Sequence, residues 1–259
     1  MKFYKAVFDA RPWYHDFKRL GIDTIFESLS SFFRAAIWFN KIFRLSDSKP
    51  FERGSYYKAN QKNKEPIIRS YIQYALRNAA TDHRSSFLEL FCADGYYSFL
   101  AKKEFNKISA VGIDINAEDI RRCEIMRDLL GYRDMQFLRR DVYDFEEKFD
   151  AILCCGGLYH ISNPEKLIEK CAVLAKQFLI IQTVVLNDSL IDFKFISPAP
   201  GWQHGCRFTV PWLESVLQKN GCEIVLKHMN ELEGNTRPVD RYSVYYLCRT
   251  KAADLQLGQ

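Results

Sequence analysis

An α/β fold, a parallel sheet covered by helices on both faces, is what three features of the sequence predict. From residue 86 onward, short apolar runs alternate with longer helical stretches. Runs such as Ile152-Leu153-Cys154-Cys155 are almost continuously apolar, as strands buried on two faces must be. The chain has 259 residues, enough to bury one large core.

The elements follow in order. Ser86–Phe91 reads as a strand, 95–104 as a helix, Ile108–Asp114 as a second strand and Ala117–Leu130 as a helix. Met135–Arg139 and Asp150–Cys155 are the third and fourth strands, 164–175 a helix and Phe178–Leu186 the fifth strand. Residues 190–207 read as irregular, with Pro198, Pro200 and Gly201. Val210–Lys219 is helical, with Pro211 in its first turn. Cys222–Met229 and Tyr242–Cys248 close the sheet, which makes seven strands.

The first third is different. An aromatic cluster, Arg11-Pro12-Trp13-Tyr14-His15-Asp16-Phe17, precedes a stretch from Ile22 to Phe43 with helical spacing. Residues 46–64 are polar and read as a linker or mobile loop, and 65–80 as a further helix. The expected organisation is an N-terminal helical and aromatic extension with linker over 1–64, a domain over 65–250, and a frayed tail over 251–259.

Charge and cysteine use narrow the setting. Residues 1–80 carry 15 Lys/Arg against 7 Asp/Glu, a net of +8, in a chain whose formal charge is +5. Such a region suits an anionic partner, nucleic acid or a phosphorylated substrate, or it is the solvated face of helices, since no dense basic run occurs. The eight cysteines include no C-x-x-C, so neither a disulfide framework nor a zinc site is expected. The sequence shows no signal peptide and no run of 18 apolar residues, so no membrane is expected and the expected compartment is the cytoplasm.

The candidate chemistry sits at strand ends. The first strand runs into Phe91-Cys92-Ala93-Asp94-Gly95, a tight turn of mostly small residues that lets backbone N–H groups approach a ligand. About twenty residues later Gly112-Ile113-Asp114 ends the second strand, where an acid can accept both hydroxyls of a ribose.

Glu89 to Gly95 resembles the first motif of class I S-adenosylmethionine methyltransferases, D/E-x-G-x-G-x-G, with Phe91 and Ala93 in place of two glycines. Asp114 resembles their ribose-binding acid. Asp141-Val142 resembles the acid and backbone amide that read adenine. Phe149 to His160 resembles the fourth-strand motif beside the sulfonium and the acceptor. Cys92-Ala93-Asp94-Gly95-Tyr96-Tyr97-Ser98, Gly157-Leu158-Tyr159-His160 and Asn163-Pro164 are most similar to the tRNA wobble-uridine carboxymethyltransferase family, as are the shorter matches at Trp13-Tyr14-His15 and around Arg237-Pro238.

The resemblance implies a Rossmann-like, seven-stranded methyltransferase sheet with helices on both faces and an N-terminal helical extension. It implies S-adenosylmethionine, or a carboxylated derivative, held by Glu89, Phe91, Cys92, Ala93, Asp94, Gly95, Asp114, Ile115, Asp141, Val142, Cys155 and Gly156. Methyl transfer needs alignment more than acid–base help, and a base matters when the acceptor hydroxyl has a high pKa. His160 is the first base candidate, or else a structural histidine before Asn163-Pro164. His204 is the second. Tyr159 lines the sulfonium pocket, hydrogen-bonds an anion, or packs in the core. Arg241 meets an anion or lies exposed at a strand end. Asp94 holds the methionine amino group, caps a helix, or does both.

The expected reaction is methyl transfer to an O or N atom of a small-molecule acceptor, with no metal. A tRNA-modifying enzyme and a non-catalytic protein of the same fold are the competing readings. Nucleic acid is less favoured than a small molecule, and the sequence does not assign an oligomeric state.

Overall fold

The computed structural model describes residues 55–79, 84–186, 192–199, 202–235 and 237–250. The expectations for the aromatic cluster, for 22–43 and for the tail 251–259 lie outside these residues. The chain enters through a helix, α1 (Ser55–Asn78), and then alternates: β1 (Ser86–Leu90), α2 (Tyr96–Glu104), β2 (Ser109–Asp114), α3 (Ala117–Leu130), β3 (Met135–Arg139), β4 (Phe149–Cys155), α4 (Pro164–Leu174) and β5 (Ala175–Val185). A short hairpin, β6 (Lys194–Ile196) with β7 (Cys206–Phe208), precedes α5 (Val210–Lys219), β8 (Cys222–Glu231) and β9 (Tyr242–Thr250).

Seven strands form one sheet in the order β3-β2-β1-β4-β5-β9-β8. The first five are parallel, and β9 runs antiparallel between β5 and β8. Alternation along the strands builds two cores. Phe87, Leu153, Ile180 and Tyr245 face α1, α2 and α3. Leu88, Ile152, Ile181 and Tyr246 face α4 and α5. The strand order reverses between β1 and β4, so a crevice opens at their carboxyl ends, where such sheets bind ligands.

Local sequence explains the helix ends. Asn116 caps α3 by accepting from Glu118 N and Asp119 N, and Gly131 ends that helix in the left-handed region. Asn163 and Thr209 cap α4 and α5, each followed by a proline in the first turn.

Two expectations are corrected. Residues 55–64, read as linker, are the first part of α1, and Pro66 lies inside that helix. Pro66 lacks the N–H that would bond the preceding turn. The helix is nevertheless held at both ends of the proline. Ile68, Ile72 and Ala75 are buried against the sheet, and Asn60 exchanges hydrogen bonds with the backbone of Glu233 at 3.0 and 2.9 Å. Residues 190–207, read as irregular, contain β6 and the first two residues of β7. Three residues per strand is too short for a periodic signal.

Candidate active site

The turn after β1 is built under strain. Phe91 has φ 55° and Ala93 φ 48°, in the left-handed region that glycine occupies freely and other residues enter at a cost of about 1–2 kcal/mol each. These are the two positions at which the sequence departs from the glycines of the motif it resembles. Three contacts hold the turn: Cys92 N donates to the Ile113 carbonyl at 3.1 Å, Gly95 N to the Cys92 carbonyl at 2.7 Å, and Cys123 Sγ to the Ala93 carbonyl at 3.2 Å.

Phe137 supports this turn from below. A Cβ on Gly95 would lie 2.7 Å from its ring, and one on Gly112 2.6 Å, so the ring fits only because both positions lack a side chain. Phe99 packs beside it, with ring centroids 5.2 Å apart.

Asp114 meets the turn. Its Oδ2 accepts from Ala93 N at 3.1 Å and its Oδ1 from Asn116 N at 2.9 Å. The adjacent Ile115 is 69% exposed, a large apolar side chain open at the rim of the crevice. At the end of β3, Asp141 is exposed and accepts from Tyr143 N at 3.0 Å, while Val142 is buried.

Glu89 is buried, and Ser98 gives its Oε2 two donors, N at 2.7 Å and Oγ at 2.6 Å. Burial pushes the Glu89 carboxyl up to about 8, with Ser98 opposing and nearby Asp94 adding to the rise. The folded protein therefore keeps a proton that the unfolded chain releases near its ordinary value. Stability present at low pH is lost as pH rises through about 8. Thermal midpoints of the ligand-free protein are expected to fall from pH 5 to pH 9, and Glu89→Gln to flatten that slope. A wild-type profile parallel to that of the glutamine variant would refute the assignment. Asp94 is fully buried, and Tyr96 N approaches its Oδ1 at 3.4 Å. The residue preceding α2 at its cap is Gly95, with φ 71°.

The end of β4 faces this turn. Gly156 N donates to the Gln182 carbonyl at 3.1 Å, and Cys155 Sγ to Gln182 Oε1 at 3.3 Å. A Cβ on Gly157 would fall 2.0 Å from the Phe91 ring, so that ring is seated flat on the glycine backbone. Burial pushes the Cys155 thiol up to about 11, and the Lys64 ammonium beside it acts in the opposite sense.

The next residues form an aromatic group. Tyr159 and His160 have ring centroids 4.1 Å apart, and Trp202 stacks on His160 at 3.9 Å and 24°. His160 Nδ1 is buried without a hydrogen-bond partner. Burial, helped by Arg207 and opposed by Asp240, lowers the imidazole to about 4. It is neutral at ordinary pH. Burial raises the Tyr159 hydroxyl to about 12.

Arg207, only 1% exposed, fixes this group. It pairs with Asp240, donates to the Tyr159 carbonyl at 3.2 Å and lies 5.3 Å from the centre of the Tyr159 ring. Arg237 joins the same carboxylate at 3.1 Å and donates to the Pro198 carbonyl and Ser197 Oγ at 3.2 and 3.0 Å.

The expected site residues thus fall into groups. Glu89 to Gly95, Asp114 and Ile115 converge at the β1 and β2 ends, and Cys155, Gly156, Tyr159 and His160 at the β4 end. His204 is exposed. Arg241 is exposed and pairs with Glu231 at 2.7 Å. Arg207 and Asp240, rather than Arg241, reach Tyr159. Neither was singled out by sequence reasoning. Arg207 lay in a stretch read as irregular, and Asp240 stood between two arginines that drew attention first. Among the described residues, no group of three His, Cys, Asp or Glu is placed to hold a metal, and no helix is long and apolar enough to cross a membrane. All eight cysteines are free.

Similarity to known proteins agrees with this geometry. A tRNA U34 carboxymethyltransferase of Campylobacter jejuni subsp. jejuni (strain 81-176) is 28% identical over 149 residues, covering 51% of this chain and 45% of that protein. One from Sulfurovum sp. (strain NBC37-1) is 26% identical over 132 residues, covering 47% and 40%. The chain spans less than half the length of these curated relatives. Magnesium protoporphyrin IX methyltransferase from Synechocystis PCC 6803, solved with bound SAM, superposes with a TM-score of 0.57 at 18% identity, over 91% of this chain and 98% of that one. The N-terminal domain of EvdMO1 with SAH bound gives 0.59 at 18%, over 80% and 89%. Both share the fold. The family model described as methyltransferase domain matches residues 81–229, more than half of the sequence, and the chain belongs to that family.

Proposed function

We propose that this chain is an S-adenosylmethionine-dependent methyltransferase acting on an O or N atom of a small-molecule acceptor. The observation that carries the reading is the meeting of Ala93 N with Asp114 Oδ2 at 3.1 Å beneath an exposed Ile115, at the point where strand order reverses. The cofactor supplies an activated methyl group on a sulfonium. The residues present fit it. Each Asp114 oxygen keeps a lone pair for a ribose hydroxyl beyond its backbone partner. Ile115 offers an apolar face for a base, with Asp141 and Val142 at the next strand end. Fold relatives solved with SAM or SAH support the same cofactor.

At the β4 end, His160 presents a neutral imidazole that can accept a hydrogen bond from an acceptor O–H or N–H and hold its lone pair toward the crevice. Trp202 lies across His160 and excludes water from one ring face.

Calorimetric titration of S-adenosylmethionine into wild type and Asp114→Ala tests the reading. The expected loss is about tenfold or more, the worth of a charge-assisted hydrogen bond. Equal affinity in both proteins would remove the ribose contact. A tRNA-modifying role is the second reading, favoured by the relatives named above and by the basic first 80 residues. It predicts salt-dependent retention of tRNA, and no retention at low salt would end it. A carboxylated form of the cofactor belongs to this second reading.

A further inference from the structure

Helix α1 delivers Lys64 toward the end of the sheet where β4 stops, with Gln61 one turn before it. They are three residues apart and share one helix face. The helix is fixed there. It packs on β4, β5 and β9, and the Asn60–Glu233 bonds tie its early turns to the segment after β8. Lys64 is half-buried, and its ammonium stands beside the Cys155 thiol. Among the described residues no carboxylate forms an ion pair with it. The acid acting on the same thiol is Glu89, whose Oε2 is already held by Ser98. Gln61 Oε1 is buried with no hydrogen-bond partner. A half-buried ammonium hydrogen-bonded to a neutral thiol can still donate a stronger, charge-assisted bond to an anion.

We propose that Lys64 binds a carboxylate at this end of the crevice, borne either by the amino-acid part of the bound cofactor or by the acceptor. Both sources rest on the reading under Proposed function, and acetate titration of the unliganded protein tests the carboxylate site apart from it.

Two measurements separate the sources. The first is calorimetric titration of S-adenosylmethionine and of decarboxylated S-adenosylmethionine into wild type, Lys64→Met and, as an exposed control, Lys62→Met. A cofactor-borne carboxylate predicts at least about tenfold weaker S-adenosylmethionine binding by Lys64→Met alone. The decarboxylated analogue should bind both proteins equally. Lys64→Arg, which keeps the charge, should retain most of the affinity.

The second follows the dimethylated Lys64 side chain by carbon-13 NMR, with its signal assigned by its absence in Lys64→Arg. An acceptor-borne carboxylate predicts a saturable shift with acetate while S-adenosylhomocysteine is bound. Acetamide should give none, and neither should Lys62 respond. Unchanged cofactor affinity in Lys64→Met, together with an acetate response no larger than that of Lys62, overturns the proposal. Failure of wild type to bind S-adenosylmethionine would sink the cofactor reading alone. Acetate titration of the unliganded protein then decides the role of Lys64, because that arm needs no variant to fold other than the one used for assignment.

Discussion

Asp240→Ala is expected to lower folding stability by about 3–5 kcal/mol, the usual result of stripping one partner from a buried ion pair. Arg207 is 1% exposed and its charge has no route to water, while Arg237 loses the same carboxylate. Urea unfolding with an unchanged slope would report the loss cleanly. Asp240→Asn, which keeps hydrogen-bond acceptors but not the charge, should fall between alanine and wild type. The consequences extend to the site, because Arg207 also holds the Tyr159 carbonyl and stacks near its ring. Cofactor affinity at the β1 and β2 ends should change much less than activity. A loss below about 1 kcal/mol, the range of exposed pairs, would mean that the pair does not organise this corner of the fold.

Gly157→Ala is expected to damage cofactor binding and stability together. The added Cβ would lie 2.0, 2.3 and 2.4 Å from three atoms of the Phe91 ring, closer than any packed carbon pair allows. Gly157 itself has φ −99°, so alanine suits its backbone, and the cost arises wholly from the ring. Phe91 must turn its ring away from Gly157 or shift a backbone already at φ 55°, within the turn that offers Ala93 N to Asp114. Overpacking of this kind costs about 1–3 kcal/mol. Affinity for S-adenosylmethionine should drop alongside it. In Phe91→Ala/Gly157→Ala the clash is gone, so the double variant should be more stable than the sum of the singles implies, with a coupling of about 0.5–3 kcal/mol. Thermal melts and calorimetry on the four proteins measure both quantities. Strict additivity would show that the two residues do not touch in solution.

The sheet was legible because its strands are long enough, and buried enough, to write their period into the sequence. Asp114 was legible for a similar reason: its place at a strand end follows from spacing alone. Other parts were not. Helix α1 was begun late, at 65, because residues 46–64 are polar and carry no apolar period, whereas the Asn60–Glu233 bonds that hold its early turns act only after the chain has folded. Phe91 read as a blemish in a glycine motif. Its match is the missing side chain at Gly157, 66 positions away, and nothing local announces that pairing. Lys64 lay in a stretch read as linker, where charged residues are ordinary. Arg207 and Asp240 are 33 residues apart and meet only when the β6–β7 hairpin and the turn before β9 come together. A period is visible in one dimension, and a convergence is not.

The Asn60–Glu233 clasp joins positions 173 apart in sequence. During synthesis this clasp can close only after the segment that follows β8 has emerged, well after β4 and β5, on which α1 packs. Nascent chains stalled short of residue 233 should already possess the ribose-facing half of the crevice while lacking that clasp on the helix that carries Lys64.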